Sequence, residues 1–121
     1  MLIVKASAAS EAGVMPSQEL MEAMGKFNQE MIDAGVFVTA TGLKASSKGA
    51  RVNFSKDNKR TVTDGPFTET KELIAGFWII ETGSYGEALD WALRSPNPGG
   101  EGGEAQIEVR QFFEPEDFAA R

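Results

Sequence analysis

The chain has 121 residues, the size of one domain, and its 41% hydrophobic and 25% charged residues are the balance of a globular protein. It contains no Cys and no His, which excludes disulfides, thiolate chemistry, the usual zinc and redox-metal ligand sets and nucleophiles activated by His. The net charge of −6 means that the average surface repels phosphate backbones, so direct nucleic-acid binding is not expected.

The distribution of apolar residues also excludes a membrane-spanning protein. No stretch approaches the roughly 20 apolar residues that a span needs, and the apolar run at residues 1–4 is too short for a signal peptide. We therefore expect a cytoplasmic protein with one domain over residues 1–121, no membrane partner, no cofactor and no metal site.

The first two predicted elements are a strand and a helix. Residues 2–7 alternate with the period of two that is typical of a half-buried strand. A helix is predicted between Ser17, which is a good N-cap, and Gly35, which supplies a stop. Its apolar stripe consists of Leu20, Met24, Phe27 and Met31. The helix therefore presents one apolar face to the sheet.

The middle of the chain is predicted to form strands. Residues 36–42 are rich in β-branched side chains, and residues 51–54 and 60–63 flank a turn at Asp57-Asn58. The last two strands form an antiparallel hairpin that leads directly into the loop beginning at Asp64.

The rest of the chain is predicted to add a strand, a helix and a strand. Residues 77–80 are apolar at four consecutive positions, which indicates a strand buried on both faces. Ser84 and Glu87 form a capping box for a helix that runs to Arg94. Residues 105–113 then alternate as a last strand.

This order of elements predicts an α+β fold with a ferredoxin-like plan. Two helices can cover only one face of a single antiparallel sheet. The other face would carry part of the apolar run 77–80, and an apolar surface of that kind is seldom left in water. We therefore predict a homodimer that packs sheet against sheet.

The densest group of polar residues surrounds the loop Gly65-Pro66-Phe67, and it has two interpretations. In the functional one, Asp64 is a general acid or base or a hydrogen-bond acceptor, Arg60 and Lys71 hold an anionic group, and Phe67 forms the wall of an apolar pocket. In the structural one, Asp64 caps the turn, Gly65 supplies an unusual φ and Phe67 fills the core. Whether the Gly65-Pro66 bond is cis stays open.

Residues 60–78 read RTVTDGPFTETKELIAGFW, and this run resembles the signature of the bacterial DGPF, or YCII-related, domain family. Residues 42–44, 46–52 and 107–111 are also similar to that family, so the resemblance covers nearly the whole chain. It implies a ferredoxin-like subunit of a dimeric α+β barrel. The candidate ligand-binding positions that it carries over are Arg60, Asp64, Gly65, Pro66, Phe67, Lys71 and Glu72, with Asp64 as the candidate catalytic residue.

The resemblance does not imply a settled reaction. Some members of the wider superfamily carry a His in the first helix near an Asp, and the corresponding position here is Met24, which cannot transfer protons. The main hypothesis is a dimeric module, binding or regulatory, that holds a small polar metabolite at the Asp64 loop. The alternatives are a cofactor-free enzyme, of the isomerase, lyase or oxygenase type, that uses Asp64, and an interaction partner of a transcription regulator.

Overall fold

A computed structural model describes residues 1–119 of the chain. The α-helices and β-strands follow one another along the chain as β1 (Leu2–Lys5), α1 (Ala8–Glu11), α2 (Gln18–Asp33), β2 (Phe37–Gly42), β3 (Ala50–Phe54), β4 (Arg60–Asp64), β5 (Ile74–Ile80), α3 (Tyr85–Arg94), β6 (Ile107–Val109) and α4 (Pro115–Ala119). None of these helices is long and apolar enough to cross a membrane.

Four of the strands form an antiparallel sheet in the order β2-β5-β1-β6. Counted without the hairpin and the short helices α1 and α4, the chain runs βαββαβ with its first strand between the third and the fourth. This is the ferredoxin-like arrangement, so the predicted fold class is confirmed.

The prediction of a single sheet was wrong for the hairpin. Strands β3 and β4 pair only with each other, as a two-stranded ribbon inserted between β2 and β5. β2 is an edge strand that pairs only with β5 among the described strands, and the ribbon does not pair with its other edge. The ribbon therefore contributes no strand to the sheet and leads the chain into the Asp64 loop.

The core lies between one face of the sheet and helices α2 and α3. Leu2 and Trp78 are cross-strand partners on that face, and Phe27 and Met31 of α2 complete the buried cluster. The Trp78 and Phe27 rings meet edge to face with centroids 5.5 Å apart. The Trp78 indole N–H donates to Asn28 Oδ1 at 2.6 Å, so its polar edge is satisfied inside the fold.

Local hydrogen bonds and backbone conformation explain where α2 begins and ends and where α3 begins. The Ser17 hydroxyl oxygen accepts from the Leu20 N–H, and Gly35 takes the left-handed φ of 75° that ends a helix. Ser84 caps α3 in the same way, but the predicted capping box is only half formed. The Glu87 carboxylate accepts from the Gly83 N–H at 3.0 Å, one residue before the cap.

The strands around the core differ in length from the prediction. β5 begins at Ile74, three residues early, because its bulged pairing with β1 continues to Lys5. β6 stops at Val109, because its partner β1 begins pairing at Leu2. Burial on β5 is also one-sided, since Trp78 is buried whereas Phe77 on the open face is only half-buried.

Candidate functional site

The candidate site begins where β4 ends. Asp64 lies opposite Ala50 at the base of the ribbon. The next residue, Gly65, donates its N–H to the carbonyl oxygen of Gly49 at 3.0 Å, and the bond from Gly65 to Pro66 is cis. The strand ladder therefore continues directly into the loop and holds the backbone at Asp64 in place.

Gly65 packs against the 3₁₀ turn Ser46–Lys48 that precedes β3. A Cβ built on Gly65 would overlap the carbonyl oxygen of Ser46. The predicted unusual φ was wrong, because Gly65 is not among the residues with positive φ. The close approach of two backbone segments, rather than the backbone conformation, is what requires glycine here.

The hydroxyl of Ser46 fixes the other side of the loop. The Phe67 N–H donates to Ser46 Oγ at 3.0 Å. Ser46 in turn donates its N–H to Glu11 Oε2 at 2.9 Å and its hydroxyl to Glu11 Oε1. These half-buried hydrogen bonds join the end of α1, the 3₁₀ turn and the loop into one connected unit.

The sequence predictions did not include Glu11 or Ser46. A local signal existed for α1, since Ser7 and Ser10 form a reciprocal capping box at its start. The contact itself joins residues 35 positions apart and has no local signature. It follows only once the fold has brought the segments together.

The pKa of Glu11 is lowered below its ordinary value of 4.5, first by the hydrogen bond from the Ser46 hydroxyl and then by the one from the Ser46 N–H. The folded state therefore holds this carboxylate ionised more strongly than the unfolded chain does. Stability from this contact is complete above the unfolded pKa and is lost as the pH falls through the lower, folded pKa.

We expect Glu11→Gln to lower the midpoint of urea unfolding at pH 7, because the amide replaces one of two charge-assisted acceptors. The difference from wild type should shrink as the pH falls below 4.5, where wild type loses the same interaction. Glu81→Gln removes one charge from an exposed position and serves as the control. A deficit for Glu11→Gln that stays constant down to pH 2.5 would contradict this assignment.

Arg51 lies over the ring of Phe67, with 3.8 Å between the guanidinium carbon and the ring centroid. It also approaches Glu69, whose carboxylate is 3.5 Å away. Both charged side chains are well exposed, so the ion pair stabilises the fold by at most about 1 kcal/mol. Arg51 was predicted only as a strand residue. In the structure it covers one face of the ring that was predicted to wall a pocket.

The Asp64 side chain is exposed, and no hydrogen bond or ion pair among residues 1–119 uses its carboxylate. It is therefore neither a turn cap occupied by backbone N–H groups nor a base enclosed in a cleft of this chain. Its carboxylate oxygens face solvent beside a backbone that is fixed on both sides.

The other predicted site residues are not all gathered at Asp64. Arg60 lies at the opposite end of β4, about 13 Å away along the strand, with its guanidinium over the Phe54 ring at 5.0 Å. Lys71 and Glu72 belong to a single exposed 3₁₀ turn after the loop. Continuity of the chain keeps residues 64–67 together, whereas Arg60 is separate.

Met24 is half-buried against the core cluster, where it acts as a packing residue.

Within residues 1–119, no group of three or more carboxylates is placed to hold a metal ion. An open groove of about 630 Å³ lies between α3 and β6, away from the Asp64 loop. Glu104 is its one charged lining residue, so the groove lacks the paired groups of an acid–base site.

The fold defines this chain as a small α+β domain protein. Its ferredoxin-like sheet is accompanied by an inserted ribbon, and the ribbon leads into the loop Asp64-Gly65-Pro66-Phe67. The chain belongs to the YCII-related domain family, whose sequence model matches residues 1–113. It is similar to an uncharacterized protein of Rhizobium meliloti (strain 1021), with 28% identity over 98 residues, covering 81% of this chain and 78% of that protein. The predicted family is confirmed.

Proposed function

We propose that the protein is a dimeric module that binds a small polar ligand at the Asp64 loop. The observation that carries the proposal is an exposed carboxylate without a described partner on a backbone that is held in place. Gly65 is anchored to Gly49, and Phe67 is anchored to Ser46. A group held in advance binds with a smaller loss of conformational entropy than one on a flexible loop.

The chemistry of the loop supports a ligand rich in hydrogen-bond donors. An ionised carboxylate only accepts hydrogen bonds, so Asp64 favours hydroxyl or ammonium groups. Lys71, on the exposed turn that follows, can balance a negative group on the same molecule. Polyols, amino compounds and hydroxy acids of metabolite size fit this pattern.

The open face of the sheet supports the dimer. Ile3 and Phe77 are cross-strand partners on the face opposite the helices, and Ile79 lies on the same face. All three remain half-buried rather than buried in the single chain. Packing two such faces together would remove their apolar surface from water. Sedimentation at micromolar concentration that gives only a 13.0 kDa species would contradict the dimer.

Binding is favoured over acid–base catalysis by the exposure of Asp64 in the single chain. A catalytic carboxylate is usually tuned by burial or by a charged neighbour in a cleft. Asp64 has no described ion-pair partner, and the helix position at which the resemblance places a His in some members of the wider superfamily is Met24, a packing residue.

A thermal-shift screen of polyols, amino compounds and hydroxy acids tests the proposal. A compound present at about 100 times its Kd stabilises the fold by roughly 2.7 kcal/mol, which raises the melting temperature by several degrees. We expect Asp64→Asn to abolish the shift for the compounds that stabilise wild type. Asp90→Asn removes the same charge from an exposed position on α3 and should keep it.

Two results would contradict the proposal. One is a screen in which no compound shifts the melting temperature of wild type. The other is an equal shift in wild type and Asp64→Asn, which would place binding elsewhere on the molecule.

A further inference from the structure

The ribbon carries an apolar face that the described chain leaves largely exposed. Cross-strand pairing puts Val52 opposite Val62 and Phe54 opposite Arg60, all on one face, whereas Asn53 and its partner lie on the other. The side chains of Val52, Phe54 and Val62 are 54%, 63% and 67% exposed. Alternation of this kind is typical of a strand pair that is covered on one side.

A two-stranded ribbon is marginally stable by itself in water. Every residue of β3 and β4 is exposed, and the ribbon forms no ladder with the sheet. The guanidinium of Arg60 covers part of the Phe54 ring, but the two valines have no such cover. The apolar face therefore favours a surface supplied by another molecule.

Charge indicates which molecule that is. Residues 44–71, which include the ribbon and the loop, hold seven of the 12 Lys and Arg residues but only three of the 18 Asp and Glu residues. The segment has a net charge of +4, whereas the rest of the chain has −10. Lys56 and Lys59 lie at the turn of the ribbon, and the acidic remainder of a second copy offers them charges of opposite sign.

We propose that the apolar face of the ribbon docks on a second copy, with the basic turn of the ribbon against acidic residues of that copy, and that this contact completes the candidate site. Asp64 shares the face of Val52 and Val62, through its pairing with Ala50. A molecule that covers the valines therefore also lies over the Asp64 carboxylate. This second statement rests on the proposed ligand site, while the docking of the ribbon stands without it.

The absence of Cys from the sequence makes a direct test possible, because one introduced thiol is the only one in the chain. Val62→Cys reports the apolar face of the ribbon, and the adjacent Thr61→Cys is the control on its polar face. Thr39→Cys reports the open face of the sheet, and Asp64→Cys reports the site. Each full-length variant is alkylated with iodoacetamide at protein concentrations below and far above the dimer Kd, and the rate is followed by mass spectrometry.

We expect dimerisation to slow the alkylation of Val62→Cys and Asp64→Cys and to leave Thr61→Cys unchanged. At about 50 times the dimer Kd the free monomer falls to one tenth of the chains, so the slowing should be roughly tenfold. Comparing each variant with itself at two concentrations removes differences in thiol reactivity.

The outcomes separate the proposals. Slowing of Thr39→Cys alone would leave the sheet-to-sheet dimer and overturn ribbon docking, as would equal slowing of Val62→Cys and Thr61→Cys. Slowing of Val62→Cys without Asp64→Cys would support docking and overturn completion of the site. No slowing of any variant would overturn both the ribbon contact and the dimer. The ligand-dependent thermal shift of wild type is a separate measurement.

Discussion

Leu2→Ala should destabilise the fold by about 3 kcal/mol, within the range of roughly 2–5 kcal/mol for such truncations in a core. Leu2 is fully buried on β1, between Trp78 on one neighbouring strand and Val109 on the other. Truncation removes three side-chain carbons that contact three elements and leaves a cavity that the flanking strands cannot collapse. Few other side chains are available to compensate, because the buried cluster consists of four residues.

Leu93→Ala is the matched control, since it makes the same chemical change at a position that is 76% exposed on α3. Its effect should stay within about 0.5 kcal/mol. Urea unfolding followed by the fluorescence of the buried Trp78 measures both variants. With a slope of roughly 1.5 kcal/mol/M, Leu2→Ala should lower the midpoint by about 2 M. Equal midpoints for the two variants would contradict the assignment of Leu2 to the core.

Helices α2 and α3 were predictable because their determinants are local. A cap at Ser17, an apolar stripe at a helical period and a stop at Gly35 all lie within one segment, and α2 occupies that segment in the structure. The family was predictable for the same reason, since the D-G-P-F run is read directly from the sequence.

The placement of the ribbon was not predictable from local pattern. β3 follows β2 in sequence, but within the described residues β2 pairs only with β5, whose segment begins more than 30 residues further along the chain. The alternation at residues 51–54 predicts a covered face equally well in a sheet or in a separate ribbon. Only the strand pairing of the folded chain shows whether these strands belong to the sheet or to a separate ribbon.

The candidate site likewise combines residues that were predicted from sequence with residues that only the fold brings together. Asp64, Gly65 and Phe67 are adjacent in sequence, so their grouping was predicted. Glu11 and Ser46, which support the loop, come from two distant segments and meet only in the fold. Arg60 was grouped with Asp64 by its position within the motif, but an extended strand holds the two side chains at opposite ends.

Gly65→Ala is expected to destabilise the protein by about 3 kcal/mol, at the upper end of the usual effect of overpacking. The added methyl group would overlap the carbonyl oxygen of Ser46, a backbone atom that cannot rotate away. To make room, the loop must move from the 3₁₀ turn, which would strain the bond from the Gly65 N–H to Gly49 and the bond from the Phe67 N–H to Ser46.

Gly25→Ala gives a control of opposite sign. Gly25 lies within α2 with nothing within 4 Å of an added Cβ, so alanine there should stabilise the protein by roughly 0.5–1 kcal/mol. Urea unfolding measures the stability of both variants. The thermal shift caused by a compound that stabilises wild type then tests whether the Asp64 loop still binds it. Gly25→Ala should keep the ligand-induced shift, and Gly65→Ala should lose it even where it is still folded, because the displaced loop no longer holds Asp64. A Gly65→Ala variant with wild-type stability and a full shift would show that neither the fold nor the site depends on this contact.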